Sequence, residues 1–501
     1  MATITQAAAK LSLLSLTVVV LPALAEETKD WSINPTLGLG LEYTDNLNLD
    51  DTDKVDTFIY RASPGVAISR SGKGLDLGVN YRVNLRSYST SRENDSHDHN
   101  LNAFANMELV ENRLTLDTRA TARQQLIDNR DSGGGGIAPD NFTNTLAIAI
   151  TPTWTQRIGE YTNIGISGTY DSVVFEKGAE DSEGFKYNIF VDTKNNPNKL
   201  YWNLELRQNT TKAEGSNSET QEELVEGQLG YRYSPQVDVR LGGGYVDNKQ
   251  ANPTNDDAEK GSFWSTGLTW TPTARTSLNG YYSSRIQTGN SRSIALSHRR
   301  KSTAWSVSYQ QSLTDVRSQI LQITTVGSLV CPSGASISLS DCRFVAPGEN
   351  PVPGPNEQVF GIGAQVPSLV EGRFISNSLS ADMTYRKSKT TLSVGAFVTE
   401  REFQDGSGRE EKDLGFNSNL GLRLSGRSDV RLGYTWSSLE PDTNASGQVR
   451  DYLNQVTLGW TYRLSSKSRL STVVSYQNRN SDDASREYKE FGGGINFNHS
   501  F

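Results

Sequence analysis

The chain has 501 residues, of which 35% are hydrophobic and 21% charged, and its formal net charge is -8. Mean hydropathy is -0.54, and beyond the first 25 residues no stretch approaches the roughly 18 apolar residues that a membrane helix needs. The acidic balance, with no basic patch, phosphate loop or dinucleotide fingerprint, gives no support to a nucleic-acid partner or a nucleotide cofactor.

Residues 1–25 read MATITQAAAKLSLLSLTVVVLPALA. Lys10 precedes an apolar run from Leu11 to Leu21, Pro22 breaks it, and Ala23-Leu24-Ala25 fits a small-x-small cleavage site. This is the pattern of a secretory signal peptide, too short and wrongly flanked to span a bilayer; a buried N-terminal helix is the alternative. Residues 26–501 then form the exported protein. Only a few residues precede the first strand, so no plug domain is expected.

From there the chain alternates with period 2. In GLDLGVNYRVNLRSY (74–88), Leu75, Leu77, Val79, Tyr81, Val83 and Leu85 fall on one face and Asp76, Asn80, Arg82, Asn84 and Arg86 on the other. A helix would mix the two sets, and the run is about twice the length of an ordinary strand. VDVRLGGGYV (237–246), DVRLGYTW (429–436) and VTLGWTYRL (456–464) repeat the pattern. Short turns such as SGKG (71–74), KSK (387–389) and SSK (465–467) alternate with longer segments rich in Asp, Asn, Ser and Gly. The longer segments fall at 45–56, 89–98, 128–141, 177–183, 212–219, 247–260, 404–411, 440–449 and 480–486.

Short periplasmic turns and long outer loops are the mark of a bacterial outer-membrane barrel. The fold class is therefore all-β: a transmembrane antiparallel up-and-down barrel of about 22 strands, apolar toward lipid and polar toward the lumen. A propeller or large sandwich, the soluble alternatives, would put its apolar face inside. Tyr43, Tyr81, Trp154, Tyr231, Tyr233, Trp270, Trp436, Trp460 and Tyr476 are candidates for interfacial girdles.

The region 312–372 breaks the rhythm. SQILQITTV (318–326) reads as an up-going strand, after which 327–370 is a long extracellular or inward-folded loop containing Cys331, Cys342 and the Pro-rich GENPVPGPNE. In an exported protein these two cysteines are a candidate disulfide, with two free thiols as the alternative. A wide barrel without a plug leaves three states: an open pore, a lumen narrowed by this loop, or a lumen filled by a partner.

Candidate lumen-lining residues are Arg82, Arg86, Arg119, Arg123, Arg207, Arg232, Arg240, Arg285, Arg423, Arg431 and Arg463. Inward acids in the same strands are Asp76, Asp117, Glu205, Glu226, Asp238 and Asp382, the remaining acids crowding the outer loops. One reading is a lumen favouring anionic solutes or polymers; the other is that these charges only pair across strands and hold the wall. No catalytic set, cofactor or metal site is expected. His97-Asp98-His99 reads as solvated outer loop, and DNLNLDDTDKVD (45–56) lacks the Gly and terminal Glu of an EF-hand.

EYTDNLNL (42–49), RASPGVAISRSGKGLDLGVNYRV (61–83), HNLNAFANMELVENRLTLDTRATARQQ (99–125) and TPTW followed by QRIG (151–159) resemble the outer-membrane β-barrel family associated with exosortase/PEP-CTERM gene clusters. The likeness covers about residues 35–175 and persists beyond only as hairpin rhythm. It implies an exported barrel linked to exopolysaccharide biosynthesis, and carries over no catalytic residue. Its motifs mark barrel construction: Pro64 and Gly65 suggest a bulge or kink in the second strand, and Asp45-Asn46 ends the first.

Two functional readings follow. One is a porin-like barrel serving exopolysaccharide export; the other is a structural, surface-display barrel that anchors polymer or partner proteins without a conducting pore. Partners are outer-membrane lipid, the outer-membrane assembly machinery, and exopolysaccharide or its secretion components. The last stretch, FGGGINFNHSF (491–501), places Phe491, Ile495, Phe497 and Phe501 on one face. It resembles the signal that assembly machinery reads in client barrels, with His499 as a departure.

Overall fold

The computed structural model describes residues 31–72, 74–90, 95–127, 141–193, 199–214, 219–249, 259–284, 290–322, 328–332, 343–345, 357–361, 369, 373–404, 408–441 and 449–501. The expected signal peptide, Arg285, Cys342 and most of 327–370 lie outside these residues. Of Cys331 only the backbone is described, so the candidate disulfide lies outside them too.

Strands β1 (Trp31–Thr44), β2 (Thr57–Gly72), β3 (Leu75–Tyr88), β4 (Ser96–Val110), β5 (Leu114–Leu126), β6 (Phe142–Ile158), β7 (Thr162–Phe175) and β8 (Ser182–Asp192) form the first third. Then come β9 (Leu200–Ala213), β10 (Glu219–Ser234), β11 (Val237–Lys249), β12 (Glu259–Thr273), β13 (Thr276–Ser284), β14 (Ser291–Arg299) and β15 (Thr303–Asp315). A helix α1 (Val316–Gln322) and a small sheet of β16 (Ser328–Pro332), β17 (Arg343–Val345) and β18 (Glu357–Gly361) interrupt the series. It resumes with β19 (Arg373–Lys387), β20 (Thr390–Phe403), β21 (Glu410–Arg423) and β22 (Ser428–Pro441), and ends with β23 (Asp451–Arg463), β24 (Ser468–Ser481) and β25 (Tyr488–Ser500).

Each barrel strand pairs antiparallel with the next, β15 pairs directly with β19, and β25 pairs with β1 from Thr36–Ser500 to Thr44–Gly492. The result is a closed sheet of 22 strands. Closure removes the unpaired edges that so many strands would otherwise expose. Long strands arise because the period-2 runs are uninterrupted. Side chains alternate, and the alternate that carries Leu39, Leu41, Tyr60, Ile166, Trp202, Leu241, Trp270, Leu458 and Ile495 is exposed. An exposed apolar belt on a closed sheet is the lipid face. No described helix is long and apolar enough to cross a membrane.

Two local expectations are corrected. Residues 318–322 are not part of an up-going strand: that strand is β15, and 316–322 is helical, while 323–326 lie outside the described residues. Asp315 Oδ1 accepts the Ser318 N–H at 2.5 Å, the contact that starts a helix, and Val316 and Ile320 then share a face one turn apart. Pro64-Gly65 makes no bulge: β1 pairs through both residues, and β3 merely skips Ser63 and Pro64 without changing register. Pro64 lacks an N–H to donate. Gly65 is needed because a Cβ there would lie 2.8 Å from the Tyr81 carbonyl and 2.9 Å from Thr36 Oγ1.

The Asp45-Asn46 pair closes the barrel at its outer end. Asp45 Oδ1 accepts the Phe491 N–H at 2.7 Å, and buried Asn46 donates from Nδ2 to the carbonyls of Asp50 (2.6 Å) and Lys489 (3.0 Å). On the lipid face of the last strand Phe491, Ile495 and Phe501 are exposed. His499 stacks on Phe497 and meets Phe501 edge-on at 4.7 Å, so the departure from an apolar pattern extends an aromatic ladder.

Candidate functional site

The lumen wall is the face opposite the exposed apolar belt, and it carries the charges. Arg86 Nη1 lies 2.7 Å from Asp98, Arg119 Nε 3.0 Å from Asp117, and Arg207 pairs with Glu205. Asp238 stands 3.9 Å from Arg232 and 3.6 Å from Arg240. Asp429 stands 3.7 Å from Arg423 and 3.5 Å from Arg463. Arg431 shares the row of Gly421 and Gly459 on this wall. Arg82 lies opposite Gly65, and Arg123 opposite Thr145.

Several acids on this wall were expected in outer loops or passed over. Asp98 belongs to β4, Glu411 to β21, Asp451 to β23 and Glu490 to β25. Asp451 is 4% exposed and bonds Arg479 at 2.6 Å and Arg486 at 2.9 Å. Much of the wall charge is thus neutralised in place. The histidines near Asp98 are also in β4. His99 Nδ1 lies 2.8 Å from the Tyr81 hydroxyl on the lipid-side face. Among the described residues, no group of three or more His, Cys, Asp or Glu is placed to hold a metal.

Between these ion pairs the outer part of the lumen wall carries apolar patches, which period-2 reading missed. Ala147, Val173, Phe175, Phe374 and Phe403 point inward from β6, β7, β19 and β20 and form one buried cluster with Val316 and Ile320 of α1 and with Leu369. Leu224, Val246 and Phe263 form a second cluster, and Ile59 and Tyr88 a third that takes in Leu47 from the β1–β2 loop. A signal was present: Val173-Val174-Phe175 and Phe374-Ile375 are consecutive apolar residues, so both faces are apolar there.

Helix α1 ties two distant parts of the wall together. Arg317 forms an ion pair with Asp171 of β7 and donates to the Asp171 carbonyl at 3.5 Å. Burial lowers the Arg317 guanidinium to about 10, which leaves it charged at neutral pH. On its other side, Arg401 Nη2 of β20 donates to Gln319 Oε1 at 3.2 Å, and the Arg401 guanidinium sits 4.8 Å above the Phe374 ring. The Leu369 N–H donates to the Ile127 carbonyl at 3.0 Å, at the end of β5.

In strand order β7 and β20 lie almost half the circumference apart. A circular barrel of this size would be roughly 40–45 Å across, from strand spacing and tilt, whereas a helix with its side chains is about 10–12 Å wide. One helix touching both walls means that the lumen is flattened and crossed at this level along the line from β6–β7 to β19–β20. Gly184 of β8 makes room for it, because a Cβ there would collide with Arg317 Nη2 and lie 2.8 Å from the Asp171 carboxylate.

No family model matches the chain. No curated protein matches it. Solved structures do. The ferric enterobactin receptor PfeA of Pseudomonas aeruginosa superposes with a TM-score of 0.51 at 10% identity, covering 94% of this chain and 80% of that one. The FrpB iron transporter of Neisseria meningitidis gives 0.51 at 11% identity, covering 95% and 82%. The siderophore receptor PirA of Acinetobacter baumannii gives 0.50 at 8%, covering 93% and 80%. At such identities the likeness is one of fold. Together with the closed 22-stranded sheet, it places the chain in the outer membrane of a Gram-negative cell, surrounded by lipid.

Proposed function

We propose that this outer-membrane barrel is a gated, porin-like transport protein serving an exopolysaccharide-linked envelope function, and that it is not an enzyme. The observation that carries the reading is helix α1 docked across a polar, ion-paired lumen. It is held by one buried apolar patch and by polar contacts to two walls, attachments that can be released without breaking the strand ladder. The exopolysaccharide link comes from the sequence resemblance over residues 35–175. The similar solved structures are named as iron transporters and siderophore receptors, and at their identities that cargo is not carried over to this chain. The outward aromatics of β25 are read as the segment that assembly machinery engages.

A barrel that only anchors polymer at the surface is the second reading, and the same helix crossing the lumen favours it. Polymer secretion in a strain lacking the protein separates the two. The transport reading expects polymer to accumulate inside the cell. Polymer exported at the normal rate but shed into the medium would establish the anchor instead.

A further inference from the structure

The inner wall differs between its two ends. Toward the outer loops, arginines are held by close acids, as in Arg86–Asp98 at 2.7 Å and Arg479–Asp451 at 2.6 Å, all with little exposure. At the periplasmic end of β19–β24 the balance reverses. The turns RKSK (386–389), RLSGRSDVR (423–431) and RLSSKSR (463–469) carry one acid, Asp429, amid Arg and Lys. A recess of about 250 Å³ opens there on the lumen side, lined among others by Arg386, Lys389, Arg423, Arg431, Ser388 and Asp429.

The row geometry builds this recess. Arg386 pairs with Thr391, Thr391 with Gly421, and Gly421 with Arg431, whose other neighbour is Gly459. The glycines on both sides of Arg431 put no side chains beside it on the wall, and Arg431 lines the recess. Asp429 is shared by Arg423 and Arg463 at 3.7 and 3.5 Å, and these arginine side chains are 55% and 40% exposed. Asp429 is 12% exposed, but at such distances an exposed guanidinium gains little from the pair and keeps N–H donors for another anion. Guanidinium groups take carboxylates in bidentate fashion, which a lone ammonium does not.

We propose that this recess is an anion-binding vestibule at the periplasmic mouth, which takes carboxylate groups of an acidic polysaccharide segment entering the lumen. The assignment rests on the transport reading above and names its substrate class. A chain carrying a carboxylate on successive sugars engages Arg423 and Arg431 on adjacent strands at once, so its affinity exceeds that of one carboxylate through effective concentration. A neutral glycan finds no equivalent partners.

The test is calorimetry on the full-length protein in nanodiscs, titrated with a galacturonate tetramer, galacturonic acid, inorganic phosphate and a neutral glucose tetramer. The wild type is expected to bind the charged tetramer at least tenfold more tightly than galacturonic acid or phosphate, and increasingly weakly as salt rises. The neutral tetramer is expected not to bind. Arg423→Gln/Arg431→Gln is expected to lose at least tenfold in tetramer affinity with unchanged heat-modifiable mobility, and Arg431→Lys to retain part of it. Equal tetramer affinity in wild type and double variant would overturn the site. Phosphate binding as tightly as the tetramer would overturn the polysaccharide assignment. The transport reading fails separately: a strain lacking the protein that still exports polymer would sink it, even with the tetramer bound.

Discussion

Truncating Ile320 to alanine should unseat helix α1 and leave the barrel intact. Ile320 is 2% exposed and belongs to one buried cluster with Val173, Phe175, Phe374 and Phe403 of the inner wall. Removing such a buried side chain costs about 2–5 kcal/mol, through lost transfer energy and the cavity left behind. The strand ladder does not pass through Ile320, so the cost falls on docking of the helix. At 1.4 kcal/mol per tenfold, the undocked population rises about 30-fold to several-thousand-fold. Two assays read this. Trypsin should cut after Arg317 faster in the variant, in proportion to the open fraction. Single-channel recording should show openings that the wild type shows rarely. Unchanged cleavage and unchanged conductance, in a variant with normal heat-modifiable mobility, would refute the idea that α1 seals the lumen by packing.

Gly184→Val should reproduce the effect, because the added side chain occupies the space of Arg317 beside Asp171; tryptic sensitivity at Arg317 equal to wild type would count against it. Arg479→Ala leaves Asp451 buried with one of its cation partners, Arg479 beside Arg486, gone, and should cost about 3 kcal/mol of local stability. Hydrogen exchange at the outer ends of β23 and β24 would show it, and unaltered protection would contradict it. Phe497→Ala breaks the aromatic ladder with His499 and should reduce the yield of assembled barrel severalfold, measured as the heat-modifiable fraction in membranes. Full yield would remove that role from the ladder. The Asp50 carboxylate accepts the N–H groups of Asp53 and Thr52, which hold its pKa below the ordinary value. A depressed carboxylate keeps its contribution above the unfolded pKa and loses it as pH falls through the folded one. The β1–β2 loop should therefore keep its exchange protection down to about pH 4 and lose it below; loss between pH 7 and 5 would be the wrong result.

The barrel was legible because strand faces are written locally. In 75–86 the apolar and polar sets separate without exception, and the short and long connections give the polarity of the membrane. What alternation does not report is height along the barrel axis. Val173 and Phe175 share the inner face with Ser167 and Thr169, yet lie at the level of the helix, and the apolar run Val173-Val174-Phe175 is the local sign of it. What covers that run, Val316 and Ile320, is far away in sequence, and nothing local encodes the contact. The helix itself was hidden because SQILQ offers a strand alternation as readily as a turn of helix. Its start at Asp315 is a single cap, easily taken for the end of a strand. Acids such as Asp98 and Glu411 read as loop residues in the sequence because polar strand ends look like loops. Reading them as loop residues made the lumen seem more basic than the ion pairs on its wall make it.

The central claim, a lumen closed by a removable helix, is tested most directly by excising it. Asp315 and Arg373 are paired neighbours on β15 and β19, so a short Gly-containing hairpin can replace residues 316–372 without disturbing the sheet. In planar bilayers the wild type should be nearly silent, and the excised variant should conduct in large, long-lived steps. A wild type that already conducts at the same level, or an excised variant that stays silent, would contradict the account.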